Sequence, residues 1–533
     1  MGQLLSRLKV VIGTLRELDA EYHAFQKRVN LSPGLPVNEP TLPFWTVPPT
    51  NLPTRINSAL PTHVDVLVIG SGITGVSCVR TLLKKGPPGL RILVLEARDV
   101  CSGATGRNGG HINPPLFHDY VQLKSEFGIE SAKRIIRFRR AHLSALREAV
   151  EDIGALDYSQ IRDVEKLDVY FDHDTFKEEV KALEAWRKDM PEEAADSRVV
   201  ESGEASKMFQ LSEDVVGVIV SPGGAAHPYR TVTTIFADLL NRYPDQLDLF
   251  TQTPCTGITS PSSVTPHYIV QTPRGTTTAH HIIHATNGWT SHLLPGMRGK
   301  VIPLRGTMTA QRPGTRLPTD TVGSRAHIFY YPVKGFDYLT QLPKRKGEDE
   351  GGELLFGGGA LQAGGLVMSE LGVADDGGYH LGIASHVQGA LPEYFGRGNW
   401  GAESADVAKE ENSAWEEGRV KAVWTGIIGI SVDQQPWVGR VPSVISGRTA
   451  PPPFLTGASE NAVARSLAPP GEWVSTGYTG EGMVHAWLCA NALALMVLGL
   501  ENEEDVHTWF PDEYRLSEKR RKKATIEQFM AEY

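Results

Sequence analysis

Apolar residues recur at helical spacing through Leu4, Leu5, Leu8, Val11, Ile12, Leu15 and Leu18, so residues 1–30 are predicted to form a helix. The proline-rich stretch 31–61 then breaks regular structure and is expected to lie extended over the surface. The pattern changes at Val64-Asp65-Val66-Leu67-Val68-Ile69, an almost unbroken apolar run suited to a strand buried on both faces. A second run, Arg91-Ile92-Leu93-Val94-Leu95, ends in Glu96, and a helical stretch lies between the two. Helical spacing returns at Ile135, Phe138, Leu143, Leu146 and Val150, with Arg134, Arg137, Arg139 and Arg140 interleaved as a solvated face. Strands are predicted at 167–171, 215–220, 305–310, 328–332, 338–342 and 354–358, a helix at 231–242 and a hairpin across 257–270. Residues 346–353 read as a hairpin tip, and 446–472 as an excursion broken by prolines. The apolar stretch 488–500 is shorter than a bilayer span and is interrupted by Asn491, so it reads as a buried helix. The basic run 519–523 reads as a solvated helix end.

Between the two apolar runs stand Gly70, Ser71, Gly72, Ile73, Thr74 and Gly75. Strand, glycine turn, helix, strand and terminal acid in this order make a dinucleotide-binding unit. Gly70 permits the tight turn, Gly72 lets the backbone approach a pyrophosphate, and Gly75 lets the helix pack close to the sheet. The phosphates then meet the free N–H groups and positive dipole end of the helix. Glu96 is placed to accept hydrogen bonds from ribose hydroxyls and would repel a 2′-phosphate, with Ala97 and Arg98 beside it. This unit alone leaves NAD and FAD open.

The chain of 533 residues is long enough for several domains or an interleaved pair. A net charge of -9 and a pI near 6.0 exclude a general nucleic-acid binder, which needs Lys and Arg against phosphate. Cys78, Cys101, Cys255 and Cys489 have no paired ligand spacing, which fits free thiols in a reducing, cytoplasmic setting. No secretory signal or membrane span is expected. Met1-Gly2-Gln3-Leu4-Leu5-Ser6 does match the pattern for N-myristoylation at Gly2, which would give only weak, reversible membrane attachment. His280, His281 and His284 crowd one segment, but in a strand they alternate faces and no carboxylate sits at ligand spacing, so no metal is expected.

Two more segments are too rich in small residues to be core elements: Ser102-Gly103-Ala104-Thr105-Gly106-Arg107-Asn108-Gly109-Gly110, followed by His111, and Gly477-Tyr478-Thr479-Gly480-Glu481-Gly482-Met483. With the 70–96 unit, Ala285-Thr286-Asn287-Gly288-Trp289 and residues 433–439, they carry a likeness across about 65–499. On these motifs the chain resembles the FAD-dependent oxidoreductases of the D-amino-acid oxidase superfamily, the group with glycine oxidase, sarcosine oxidase and γ-glutamylputrescine oxidase. The resemblance implies an α/β fold in which a Rossmann-like FAD-binding domain is interleaved with an α+β substrate domain on a mixed sheet. The expected FAD-binding domain is residues 62–112, 230–300 and 425–510, and the substrate domain 113–229 and 301–424. Residues 1–61 form an N-terminal helix and arm, and 511–533 a tail.

The resemblance also implies the chemistry. A carbon–nitrogen bond in an amine or amino acid is oxidised to an imine by hydride transfer to flavin N5, with oxygen as the favoured acceptor. The alternatives are a dehydrogenase passing electrons to a quinone or carrier protein, an FAD-stabilised scaffold without turnover and, least favoured, an NAD-dependent dehydrogenase. The flavin ring must lie against backbone, which small-residue segments such as 106–110 and 480–482 suit. Arg107 is expected to neutralise a phosphate or the reduced ring, and Cys255 and the 285–289 segment to touch the dinucleotide. No general base is demanded if the neutral amine binds. His111, Tyr229, Arg305, Tyr330 and Tyr338 are the candidates for the substrate pocket, and noncovalent FAD is expected despite His111. Val484 stands where oxidases of N-methyl amino acids have a carboxylate-binding lysine, which weakens a sarcosine-like substrate; Arg305 and Arg230 are the substitute cations.

Overall fold

The computed structural model describes residues 2–532 apart from 56–57, 263–265, 332–334, 345–350, 364–368, 404–414, 416, 453–462 and 464–465. The tip expected at 346–353 therefore lies largely outside the described residues, as do 453–462 and 464–465 of the excursion expected at 446–472, whose last two residues instead begin a strand, Gly471–Thr476.

The apolar run after the arm becomes β1 (His63–Ile69), and Arg91 to Leu95 becomes β2 (Ile92–Leu95), with α2 (Ile73–Lys85) between them. They form the centre of an eight-stranded sheet with β7 (Leu247–Phe250), β8 (Gly257–Thr259), β9 (Tyr268–Thr272), β10 (Gly275–His284), β16 (Trp437–Arg440) and β17 (Gly471–Thr476). The order β16-β17-β10-β1-β2-β7 has a parallel core of β17, β10, β1, β2 and β7. Parallel strands are covered on both faces, which is why their sequences run apolar without alternation. The hairpin expected across 257–270 is the β8–β9 pair. The helix Ala486–Leu498, nearly all buried, covers one face by packing along α2, where Ser77 Oγ donates to the Trp487 carbonyl at 2.6 Å.

A second, nine-stranded sheet contains β3 (His111–Ile112), β4 (Arg162–Tyr170), β5 (Arg198–Glu201), β6 (Gly217–Ala225), β11 (Val301–Gln311), β12 (Arg325–Tyr331), β13 (Gly335–Gln341), β14 (Leu354–Gly358) and β15 (Val420–Ser431). It is mixed, because β12 pairs β4 parallel while its other pairs run antiparallel. The chain crosses between the sheets repeatedly, as interleaving requires. β3 and the whole of β15 belong to the second sheet, so its share extends into stretches expected to belong to the nucleotide unit.

Several surface expectations change. The helix α1 (Gly2–Val29) forms as predicted, yet Val11, Ile12 and Leu15 stay exposed, and its C-terminal end docks through buried Phe25 and Val29. The following arm is not merely superficial: Trp45 is buried and donates Nε1–H to the Asn108 carbonyl at 2.5 Å. The arginines on α4 (Ile129–Glu151) are not all solvated, since Arg139 is buried against Asp119 at 2.7 Å. A helix can keep one charge inside when a carboxylate meets it there. At the other terminus Arg520 is not a solvated helix end; it pairs with Asp433 at 2.7 Å and lies 3.8 Å over the Trp437 ring.

Candidate functional site

The turn at the end of β1 is built for close approach. Gly70 has φ +111°, and a Cβ there would lie 2.5 Å from the Ala285 carbonyl oxygen. A Cβ at Gly75 would lie 2.1 Å from the Gly70 oxygen, so α2 touches the turn through bare backbone. Glu96 Oε2 accepts from both Ser71 N at 3.0 Å and Ser71 Oγ at 2.6 Å, and its Oε1 accepts from Arg98 N. Thr105 Oγ1 accepts from Ile73 N at 3.1 Å, satisfying one of the open donors at the start of α2. The acid, the turn and the 102–110 loop are thereby one hydrogen-bonded unit.

From this turn a cleft of about 1470 Å³, its open mouth included, runs to the second sheet. It is lined by Gly70, Ser71, Gly72, Ile73, Thr74, Glu96 and Ala97, with Cys255, Ala285, Thr286, Asn287 and Trp289. Gly103, Ala104, Thr105, Arg107 and Asn108 line it too, as do Gly480, Gly482, Met483 and Tyr338. Nearly all the residues singled out as cofactor contacts thus come together, although 70 and 480 are far apart in the chain.

Other expected contacts act at one remove. Gly75 supports the turn, and Ser102 offers its carbonyl to Arg98 and Arg107. Gly109 and Gly110 bring the backbone against Tyr338 and Trp45, leaving no room for side chains. Burial pushes the Cys255 thiol up to about 12, so it contacts the cleft as a neutral group.

Several roles differ from expectation. Arg107 is buried, donates to the carbonyls of Ser102 and Thr425 at 2.7 Å each, and lies 3.4 Å from Asp376. Arg98 meets the same carboxylate at 2.9 Å and stacks 5.6 Å from the Trp289 ring. Arg107 therefore ties the loop to β15 instead of waiting as a free cation. Tyr229 accepts from Thr50 N at 3.1 Å and pins the arm. Arg305 chelates Glu370 at 2.7 and 3.1 Å, pointing away from the cleft that its neighbour Gly306 lines. Arg230 stacks over Tyr158. His111 reaches the cleft through Tyr338, edge-on at 5.4 Å; burial, with Lys166 and Arg162 nearby, brings it down to about 3 and keeps the ring neutral.

The motifs missed Asp376, which gathers two arginines, and Leu35 and Pro36 of the arm, which line the cleft. The closing motif contains Tyr478 but not its role: its hydroxyl hydrogen-bonds Thr74 Oγ1 at 2.9 Å and Ser475 Oγ at 2.8 Å, joining the closing loop to the start of α2. A buried tyrosine needs a partner for its hydroxyl, a signal that spacing does not carry.

A parallel nucleotide sheet, a glycine cradle at a helix start and a long cleft closed by a small-residue loop fit an adenine dinucleotide ending in a broad planar ring. This is the class of flavin-dependent oxidoreductases. Residues 65–496 match the family model described as FAD dependent oxidoreductase, so the chain belongs to that family, the D-amino-acid oxidase group, and is an FAD-dependent enzyme. Over 175 residues it is 27% identical to one component of the anaerobic glycerol-3-phosphate dehydrogenase of Haemophilus influenzae, covering 33% of this chain and 27% of that one. Over 71 residues it is 34% identical to the γ-glutamylputrescine oxidoreductase of Escherichia coli, 13% of this chain and 16% of the relative. Each match thus spans under a third of the curated relative. Among solved structures the fold is similar to glycine oxidase from Geobacillus kaustophilus, with TM-score 0.56, 17% identity, and 82% and 95% of the two chains covered. It is also similar to L-amino acid deaminase from Proteus myxofaciens, with TM-score 0.58, 14% identity and coverage of 90% and 97%. Among the described residues no helix is long and apolar enough to cross a membrane.

Proposed function

We propose that this enzyme oxidises the carbon–nitrogen bond of an amine or amino acid to an imine, which water hydrolyses, with oxygen as electron acceptor and hydrogen peroxide as product. FAD held noncovalently in the cleft would supply a two-electron acceptor for oxidation at the carbon next to nitrogen. The glycine turn, Thr105 and Glu96 hold the dinucleotide end, and Tyr338, Met483 and the 480–482 backbone bound the reacting end. An acyl group at Gly2 would add only reversible membrane attachment to this activity.

The observation that carries the reading is the single cleft around which the glycine turn, the 103–108 loop, Tyr338 and the closing loop meet. Glu481 stands between its lining residues Gly480 and Gly482, with a side chain 37% accessible. Burial pushes it up to about 7, against the pull of Arg139. A carboxyl that titrates there can receive the proton of an incoming ammonium, leaving the neutral amine from which hydride departs. Two buried ion pairs lie around it, Arg139 with Asp119 and Lys166 with Asp168 at 3.0 Å, and the Tyr330 ring stacks on Tyr170 near the second.

The test is anaerobic titration of the purified flavoprotein with primary, secondary and N-methylated amines and amino acids. Bleaching of the flavin, followed by rapid recovery in air with peroxide, is expected. Bleaching by a polyol phosphate but by no amine overturns the reading. Slow recovery in air with fast recovery by a quinone selects the dehydrogenase alternative, which the curated glycerol-3-phosphate dehydrogenase relative favours. The Glu481 role has its own sign: kcat/KM rises with pH through about 7 as the carboxylate forms. Glu481→Gln is expected to lose that limb and to lower kcat/KM roughly 100-fold, the lower end of general-base contributions. An unchanged pH profile would remove Glu481 from the mechanism.

A further inference from the structure

The histidine-rich strand has a second life away from the cleft. Of its three histidines, His281 accepts from Trp473 Nε1 at 3.1 Å and His284 pairs with Glu472 at 2.8 Å, so these two are tied into the sheet. His280 faces the other way from His281, and the strand pairings bring two further imidazoles to it. His63 opens β1 and is paired with Thr278, two residues before His280 and on the same face. His267 directly precedes β9, where Tyr268 pairs with Ala279, so His267 falls opposite His280. The ring centroids are 4.4–4.7 Å apart in all three pairs, and one ring nitrogen from each lies within 4.8 Å of the others.

We infer that His63, His267 and His280 form a binding site for a borderline divalent transition metal, Zn2+ above all, at the N-terminal edge of the nucleotide sheet. Three imidazoles without a thiol suit zinc, nickel or copper and not magnesium or calcium. At His63 the hydrogen bonding aims a lone pair inward. Thr278 Oγ1 donates to the Thr62 carbonyl, so its contact with His63 Nδ1 at 2.9 Å makes that nitrogen the donor and leaves Nε2 to a metal. Asp65 accepts from Arg91 N at 2.9 Å and stands 3.7 Å from His280 Nδ1. A carboxylate behind a histidine is the arrangement that orients metal-bound imidazoles. A tetrahedral ion with bonds near 2.0–2.1 Å needs nitrogens about 3.4 Å apart. The rings must therefore draw together by side-chain rotation, which the half-buried positions of His63 and His267 allow. The fourth position is left to water.

The site is structural or regulatory with respect to the flavin. It lies at the opposite end of β1 from Gly70, roughly 20 Å away at about 3.3 Å per residue. By bridging β1, β9 and β10 the ion would fasten the β8–β9 hairpin to the sheet that carries the adenosine end.

The experiment takes holoenzyme dialysed against chelator and titrates it with Zn2+, reading metal content after gel filtration and the thermal unfolding midpoint. About one tight equivalent of zinc and a midpoint raised by several degrees are expected, because binding only the folded state stabilises it. His267→Ala, at the edge of the cluster, and the double variant H63A/H267A are each expected to lose that equivalent and the shift while keeping their flavin content. Cu2+ as probe would show nitrogen hyperfine splitting in the electron paramagnetic resonance spectrum of the wild type and not of the double variant. Equal zinc uptake and equal shifts in wild type and double variant, or no uptake by the wild type, would overturn the assignment.

Discussion

Gly75→Ala is expected to yield a protein that loses its flavin. The added Cβ would sit 2.1 Å from the Gly70 carbonyl oxygen, a backbone atom with no rotamer to escape through. Gly70 is itself held at φ +111° with the Ala285 carbonyl against it, so the turn cannot retreat without moving β10. Overpacking of this kind costs about 1–3 kcal/mol even where side chains can shift, and here the strain falls on the turn that faces the pyrophosphate. The measurement is the ratio of flavin to protein absorbance after gel filtration, with added FAD titrated back. Roughly 100-fold weaker FAD binding corresponds to about 2.7 kcal/mol, at the upper end of that strain. Gly103→Ala is the control, because a Cβ there meets nothing within 4 Å although the residue lines the same cleft. Equal flavin retention by the two variants would show that the close contact is not what holds the turn in shape.

The second large effect is expected at Asp376. This fully buried carboxylate lies 2.9 Å from Arg98 and 3.4 Å from Arg107, both nearly buried themselves. Its own carbonyl also accepts from Thr41 N at 2.8 Å and from Thr425 Oγ1 at 3.1 Å, joining the arm and β15 at one point. Asp376→Ala leaves two guanidiniums inside with hydrogen-bonding carbonyls but no counter-charge. Breaking a buried pair by removing one partner costs about 3–5 kcal/mol, and in a chain of this length the midpoint of thermal unfolding should fall by about 3–5 °C. Adding Arg98→Met to the same protein should restore part of the loss, since the stranded charge is what destabilises. A fall of only a degree or two in Asp376→Ala would mean that the carbonyls alone support both arginines.

The parts of the site that were legible in the chain are those whose geometry is settled over a few residues. Gly70, Gly72 and Gly75 had readable roles because a strand, a turn and a helix start impose backbone conformations that only small residues meet. Glu96 was readable because it ends the next strand of the same unit. The loop 102–110 and the closing segment 477–483 stood out for the same reason, as stretches with no side chains to fill a core. The ties of Arg107 to Asp376 and Thr425 are not legible in the chain, because a lone arginine in such a loop looks free until its partners are known, and Asp376 carries no motif. Tyr229 and Arg305 were named as pocket candidates from residue type, and their partners, Thr50 and Glu370, decide their direction instead. Arg139 was read as solvated because helical periodicity reports a face and not what later packs against it.

The sequence by itself determined that this protein holds a dinucleotide, and the family resemblance carried by its glycine-rich segments implied that the dinucleotide is FAD. It also determined where the apolar strands run, since a parallel sheet buried on both faces leaves an unbroken hydrophobic signature. Only the tertiary structure decided which charges meet. Asp376 between Arg98 and Arg107, Glu481 among Arg139, Asp119 and Lys166, and His63 beside His267 and His280 all join residues from separate strands, loops and helices. The physical reason is that local backbone preferences act over a turn or two of chain. The pKa of a carboxyl, the partner of a guanidinium and the grouping of imidazoles follow from distances that exist only once the two sheets have closed on each other.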